Sequence, residues 1–418
     1  MKLLVLLDSV YSENGATNRI CRAVCEELAR TNDVTVLENA RPDAPLPAHA
    51  KARYARFCCG DERRLYTLVN GWRTQKRSRA AMALRLLGHP RAAWAGVCAL
   101  VFHHSVAEDA FRRRAERLCR QEPFDLAVSM SVPHYTAFAL ARARCGCKKA
   151  AYLLEPYATN ALVHDRGAMR REAAMYAAMD CVCVTPLMLA ENRTNALAPY
   201  LARTKAFAFP NFRPLAPQPA ADAVAFDRTH YTELLFAGML YPAIRSPQFV
   251  LELMEMLPQN FRLTFLGGGA DGFAYGYFED WQKRLGPRLR LHGAVSPDAA
   301  MQALLDADIL VSIGNAVANQ LPSKLLDYIS SGKPVLNTTK VPECPSLALF
   351  RAYPLVCSLA ETAHPDADAC RRAEAFCREN AGKQVPFAQL EKLYREYTLQ
   401  DVCARLNDAF AAALEERP

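Results

Sequence analysis

Asn319-Gln-Leu-Pro-Ser-Lys-Leu-Leu-Asp-Tyr-Ile-Ser-Ser-Gly-Lys-Pro-Val-Leu336 is the stretch from which the rest of the chain can be read. It follows an apolar run, Ile309-Leu310-Val311, and opens with Pro322 and Ser323, residue types that suit a helix start. The spacing predicts a helix over 323–331, a stop at Gly332 and a new strand from Pro334. Leu325, Leu326 and Ile329 fall at helical spacing and can face a sheet. That arrangement leaves Ser323, Lys324 and Asp327 near the open N-terminal end. Unsatisfied backbone N–H groups and the positive end of the helix dipole make such an end a seat for a diphosphate. A carboxylate one turn further in suits ribose hydroxyls. The local reading is a pocket for a nucleotide sugar.

Outward from this segment, strands and helices alternate in two series. Strands are expected over 2–7, 33–37, 125–130, 149–154, 181–185 and 206–209, with helices over 18–29 and 170–179 between them. After a proline-rich interruption at 210–219 the alternation restarts, with strands over 233–237, 262–266, 288–292, 309–312 and 335–337. Such alternation implies parallel sheets with helices on both faces. The expected domains are 1–212 and 220–385, followed by a helix over 387–416 within a last segment, 386–418, that returns to the first domain. The 210–219 segment reads as an interdomain hinge, with ligands expected in a cleft at the carboxyl ends of both sheets.

At 418 residues, 51% hydrophobic and 22% charged, the chain is globular and long enough for two cores. No uncharged apolar run is long enough for a membrane-spanning helix, and the apolar start reads as a first strand rather than a signal peptide. A cytoplasmic protein with free thiols follows from that reading. Cys145/Cys147 and Cys181/Cys183 have a C-x-C spacing compatible with a metal, although alternation along a strand explains the second pair as core, so no metal site is expected. The net charge of +8 is concentrated in 51–120, where 16 Lys/Arg stand against 5 Asp/Glu among Trp72, Trp94, Val101 and Phe102. This mixture fits an anionic membrane surface, and equally a set of solvated helix faces. No nucleic-acid-binding module is recognisable.

The 322–335 run resembles the donor-binding helix of GT-B glycosyltransferases, closest to the family 4 type of bacterial surface polysaccharide synthesis. Phe236-Ala-Gly-Met-Leu-Tyr241 is similar to the family's first C-terminal strand and glycine turn, and Phe209-Pro-Asn-Phe212 to the end of its N-terminal domain. Leu266-Gly-Gly-Gly269 and His292-Gly293 resemble its two later turns. The resemblance implies an α/β chain of two Rossmann-like domains whose parallel sheets face each other across a cleft. It also implies donor contacts from Gly238, Arg245, Gly267, Gly293, Ser323, Lys324 and Asp327. Arg245 is suited to bidentate pairing with a pyrophosphate, though a surface charge near a helix start would look the same. The family commonly has a Glu-x7-Glu pair here; this chain has Asn319 and Asp327 at those positions. Asn319 can hydrogen-bond a donor sugar but adds no charge beside a developing oxocarbenium ion.

In the N-terminal half, Ser12-Glu-Asn-Gly15-Ala-Thr17-Asn-Arg19 resembles the family's glycine-containing loop, giving Asn14, Gly15 and Thr17 an acceptor-side role. His134 and Glu155 each follow a strand, where a catalytic role for an acceptor hydroxyl and simple loop decoration are both open. The resemblance implies retaining, metal-independent transfer from a nucleotide-diphosphate sugar to a glycan or lipid-linked acceptor, with no further cofactor. The peripheral inner face of the plasma membrane is the expected location. A rival expectation is a non-catalytic nucleotide-binding or partner subunit of a glycan synthesis complex. An epimerase lacks a further acid–base cluster, and a dehydrogenase lacks GxGxxG after the first strand.

Overall fold

The computed structural model describes residues 1–9, 16–41, 44–47, 49–59, 88–101, 105–130, 134–160, 163, 167–241, 244–268 and 273–416. Two compact units emerge, one of 1–210 with 396–418 and one of 211–395.

The first unit is built on a parallel sheet in the order β3-β2-β1-β4-β5-β6-β7. Its strands are β1 (Lys2–Asp8), β2 (Asp33–Asn39), β3 (Arg53–Phe57), β4 (Leu126–Met130), β5 (Lys148–Tyr152), β6 (Cys181–Val184) and β7 (Thr204–Ala206). β1 is apolar from Leu3 to Leu7 because it is buried on both faces: Leu3, Val5 and Leu7 enter one core, Leu4 and Leu6 the other. The described helices of this unit are α1 (Ala16–Leu28), α2 (Pro90–Val101), α3 (Val106–Gln121), α4 (Tyr135–Arg142), α5 (Ala168–Ala177) and α6 (Pro186–Asn192).

The second unit carries β8 (Thr232–Ala237), β9 (Phe261–Leu266), β10 (Leu289–Gly293), β11 (Ile309–Ile313), β12 (Val335–Thr339) and β13 (Val356–Ala360), with parallel order β10-β9-β8-β11-β12-β13. Its helices are α7 (Gln248–Met256), α8 (Phe273–Leu285), α9 (Pro297–Asp306), α10 (Lys324–Ser331), α11 (Pro345–Phe350), α12 (Ala367–Asn380) and α13 (Phe387–Tyr394). The last helix of the chain, α14 (Leu399–Glu415), buries Val402, Leu406 and Phe410 in the core of the first unit.

Several expectations need correction. The helix expected over 387–416 is two helices, separated by a 3-10 turn at Arg395–Tyr397. Thr398 starts the second, its hydroxyl accepting from the Asp401 amide at 3.3 Å. Phe387 of α13 stacks instead on Phe212, with ring centroids 4.8 Å apart, inside the second unit. The strand expected over 206–209 lies at Thr204–Ala206, and β13 was missed altogether. The 51–120 segment, which showed no clear pattern in sequence, holds β3, α2 and α3; residues 60–87 lie outside the described set. β3 holds its arginines in specific pairs: Arg56 meets the buried Glu38 at 2.8 Å, and the exposed Arg53 meets Glu122 and the Thr35 hydroxyl. Cys181 and Cys183 are buried in β6 with their sulfurs 3.7 Å apart. Cys145 and Cys147 pack beside Cys119 against the core of the first unit.

Candidate functional site

In the second unit the strand order reverses between β8 and β11, the place where open α/β sheets bind ligands. Three glycine turns stand in a row along the carboxyl edge. The Gly238 N–H donates to the Leu266 carbonyl at 2.9 Å, and the Gly267 N–H donates to the Gly293 carbonyl at 2.6 Å. Gly267 has φ +120°, and a Cβ there would come within 2.3 Å of the Gly238 carbonyl oxygen. No other residue fits, so the β8 and β9 turns lie directly against each other. Gly293, at φ +71°, closes the row with open space beside it.

Tyr328 of α10 fixes the first turn from beneath. Its buried hydroxyl accepts from the Ala237 amide at 2.8 Å and lies 3.3 Å from the Ala237 carbonyl. Beyond the turn the chain folds back, the Arg245 amide donating to the Tyr241 carbonyl at 2.7 Å. The Arg245 guanidinium then reaches Asn315, whose Oδ1 accepts from Nε at 3.0 Å and Nη2 at 2.7 Å. Nη1 donates to the Met239 carbonyl at 3.2 Å. Burial pulls the Arg245 pKa below its ordinary value, and no carboxylate among the described residues pairs with it. The group keeps its charge regardless, because an arginine does not deprotonate in proteins.

Arg245 and Lys324 line one shallow depression, together with Ala237, Ser312, Pro322 and Tyr328. The sequence-derived cations are thus brought together. Ser323 sits at the helix start in helical conformation, and its hydroxyl makes no capping bond. The first backbone bonds of that turn come from the Leu325 and Leu326 amides, leaving those of Ser323 and Lys324 as helix-start donors. Lys324 Nζ lies 3.6 Å from Asp327 Oδ2. Asp327 is almost fully buried, and its Oδ1 also accepts from Asn211 Nδ2 at 3.2 Å and Arg213 Nη1 at 3.1 Å. This carboxylate, expected to meet ribose, is therefore engaged by protein donors. Asn319 lies half-buried in the loop between β11 and α10, outside the lining of the depression.

In the first unit, His134 and Glu155 do come together, through a backbone group. His134 Nε2–H donates to the Glu155 carbonyl at 2.8 Å, and its ring packs 5.3 Å from that of Tyr157. Burial pushes the His134 pKa down to about 4, so the imidazole is neutral at physiological pH. Burial also raises the Glu155 carboxyl above its ordinary value. Glu172, buried in α5, holds the same loop by accepting from the Ala158 amide at 2.8 Å and the Tyr157 amide at 3.4 Å. Thr17 occupies the first turn of α1, half-buried; Asn14 and Gly15 lie outside the described residues. Next to that helix start the Ser9 hydroxyl donates to the fully buried Glu38 at 2.5 Å and lies 3.2 Å from Asn18 Oδ1.

Sequence reasoning missed Asn315, Tyr328, Arg213 and Glu172. Only Asn315 stands in a suggestive place, a polar residue after a glycine at a strand's carboxyl end, and nothing local ties it to Arg245. Among the described residues no group of three His, Cys, Asp or Glu side chains is arranged to hold a metal ion.

No family model matches the sequence, and no curated protein does. Solved structures do match over the whole chain. The lipopolysaccharide outer core galactosyltransferase WaaB, in apo form, is 12% identical with a TM-score of 0.56, covering 99% of both chains. HepE (Alr3699) of Anabaena in complex with UDP and glucose is 11% identical, covering 99% of this chain and 100% of that one with a TM-score of 0.61. Sucrose-phosphate synthase of Thermosynechococcus elongatus is 15% identical at 99% coverage of both chains and a TM-score of 0.60. The chain accordingly has the GT-B fold of these proteins, two parallel-sheet α/β units in one polypeptide.

Proposed function

We propose that this protein is a glycosyltransferase that moves a sugar from a nucleotide-diphosphate donor to a hydroxyl of a glycan or lipid-linked acceptor. One observation carries the reading. Arg245, partly buried and held among the described residues only by neutral oxygens, shares a depression with Lys324 at the strand-order reversal of the second unit. A buried guanidinium without a carboxylate is costly unless an anion completes it. A diphosphate does so, met by a bidentate-capable arginine, an ammonium and the amides at the start of α10. The solved HepE structure contains UDP and glucose, which supports a sugar nucleotide as the anion.

In this reading the donor's C1–O bond breaks as negative charge gathers on the leaving diphosphate. Arg245, Lys324 and the α10 terminus stabilise that charge, the part a divalent metal plays elsewhere. The acceptor oxygen forms the new bond to C1 on the face the leaving group occupied, a retaining outcome, and its proton passes to a general base. Burial raises the Glu155 carboxyl above its ordinary value, and this reading gives it the acceptor-side role of a base in the first unit. Asp327 Oδ1 is taken by Asn211 and Arg213, so its Oδ2, 3.6 Å from Lys324 Nζ, is the oxygen this reading gives to a ribose.

Incubating purified protein with UDP-, GDP-, CDP- and dTDP-sugars, with and without glycan acceptors, tests turnover. Release of nucleoside diphosphate is expected with one of them, unaffected by EDTA. Arg245→Ala and Glu155→Gln should each lower kcat/KM at least about 100-fold. Tight diphosphate binding with no turnover under any condition would instead favour a non-catalytic nucleotide-binding subunit, the reading suggested by Asn319 and by the protein-engaged Asp327.

A further inference from the structure

The partner chosen for Arg245 carries information of its own. Asn315 is 4% exposed, and both the oxygen and the nitrogen of its side-chain amide are engaged. Oδ1 accepts both Nε–H and Nη2–H of Arg245, and Nδ2 donates to the Gln320 carbonyl at 3.2 Å. One buried amide therefore fixes the arginine fork and pins the loop that leads to Ser323 and Lys324. Its own placement is set by Gly314, where a Cβ would fall 2.7 Å from the Thr338 carbonyl, so the chain turns hard against β12. Of the five N–H donors of a guanidinium, three are used among the described residues, by Asn315 twice and by Met239 once, leaving two for a ligand.

We infer that Asn315 is the positioning residue of the anion site: its neutral oxygen aims Arg245 without neutralising it, and so sets the affinity for a diphosphate. This rests on the reading of the depression as a diphosphate site. An aspartate in the same place would accept the same two N–H bonds. It would also cancel the guanidinium charge and could not donate to Gln320, since an ionised carboxylate only accepts. An alanine would leave the charge but release the fork. Both changes therefore act on the diphosphate and not on the nucleoside.

The test is calorimetric titration of the full-length protein with UDP, GDP, CDP, dTDP and inorganic pyrophosphate, and with the corresponding nucleosides. Asn315→Asp is expected to weaken nucleoside diphosphate and pyrophosphate binding at least tenfold and to flatten its salt dependence, with nucleoside affinity changed less than threefold. Asn315→Ala should lose a similar factor in the wild-type background and less than twofold in an Arg245→Ala background. A loss of equal size in both backgrounds, or an Asn315→Asp protein that binds diphosphates within threefold of wild type, overturns the inference. If wild type binds none of these anions, the anion site itself is wrong and the inference falls with it. Should Asn315→Asp not fold, the Asn315→Ala cycle decides alone.

Discussion

His134 shows how a single buried side chain makes the fold pH-sensitive. Its neutral ring donates from Nε2 to the Glu155 carbonyl, and burial holds its pKa at about 4 against an ordinary 6.5. A folded-state pKa below the unfolded one means that stability is fully present above the unfolded value. It is lost as pH falls from about 6.5 towards 4, because the unfolded chain takes up the proton first. The full difference amounts to roughly 3 kcal/mol. Urea melts at pH 7.5 and pH 4.5 should show this loss in wild type. His134→Gln keeps a donor for the carbonyl but cannot titrate, so it should lose correspondingly less over the same interval. Equal pH dependence in both proteins would remove His134 from this role.

The elements succeed or fail at their ends. The turns after β8, β9 and β10 work as a stack because Gly267 has no side chain to hold the Gly238 carbonyl away. Gly267→Ala should destabilise the protein by more than about 2 kcal/mol, from strain at positive φ plus the displaced carbonyl, read as a shift in the urea midpoint at unchanged m. An alanine variant as stable as wild type would mean the turns are not packed this way. Sequence showed these glycines, the helix following Pro322 and the stop at Gly332 because each depends on local backbone geometry. Gly332 takes φ +70° against the Val385 carbonyl, as a helix stop requires. Asn315, Tyr328 and Arg213 were not legible in the same way. Their partners, Arg245, Ala237 and Asp327, stand 70, 91 and 114 positions away, and no local pattern announces such pairs. The same limit explains the break before α14: the apolar spacing continues across Tyr394–Leu399, and only the Thr398 cap and the division between two cores reveal it.

At the scale of the molecule, two sheets with the same reversal of strand order account for the two series of alternating strands and helices. No described helix is long and apolar enough to cross a membrane. The basic 51–120 segment nonetheless carries α2, on which Arg91, Trp94 (58% exposed) and Val97 (40% exposed) face outward at intervals of three. A cation beside exposed apolar groups suits the headgroup region of an anionic bilayer. Flotation with phosphatidylglycerol vesicles should recover the protein at low salt, less at 0.5 M salt, and less again for Trp94→Ala. Recovery independent of both would assign these residues to another surface.

The proposed diphosphate site of the second unit is tested most directly by titrating wild-type protein and its Arg245→Ala and Lys324→Ala variants with nucleoside diphosphates and the matching nucleosides. At least one diphosphate should bind wild type far more tightly than its nucleoside, and each variant should erase most of that difference while binding the nucleoside as before. A wild type that gains nothing from the two phosphates, or variants that keep the full gain, would contradict a cationic depression built for a sugar nucleotide.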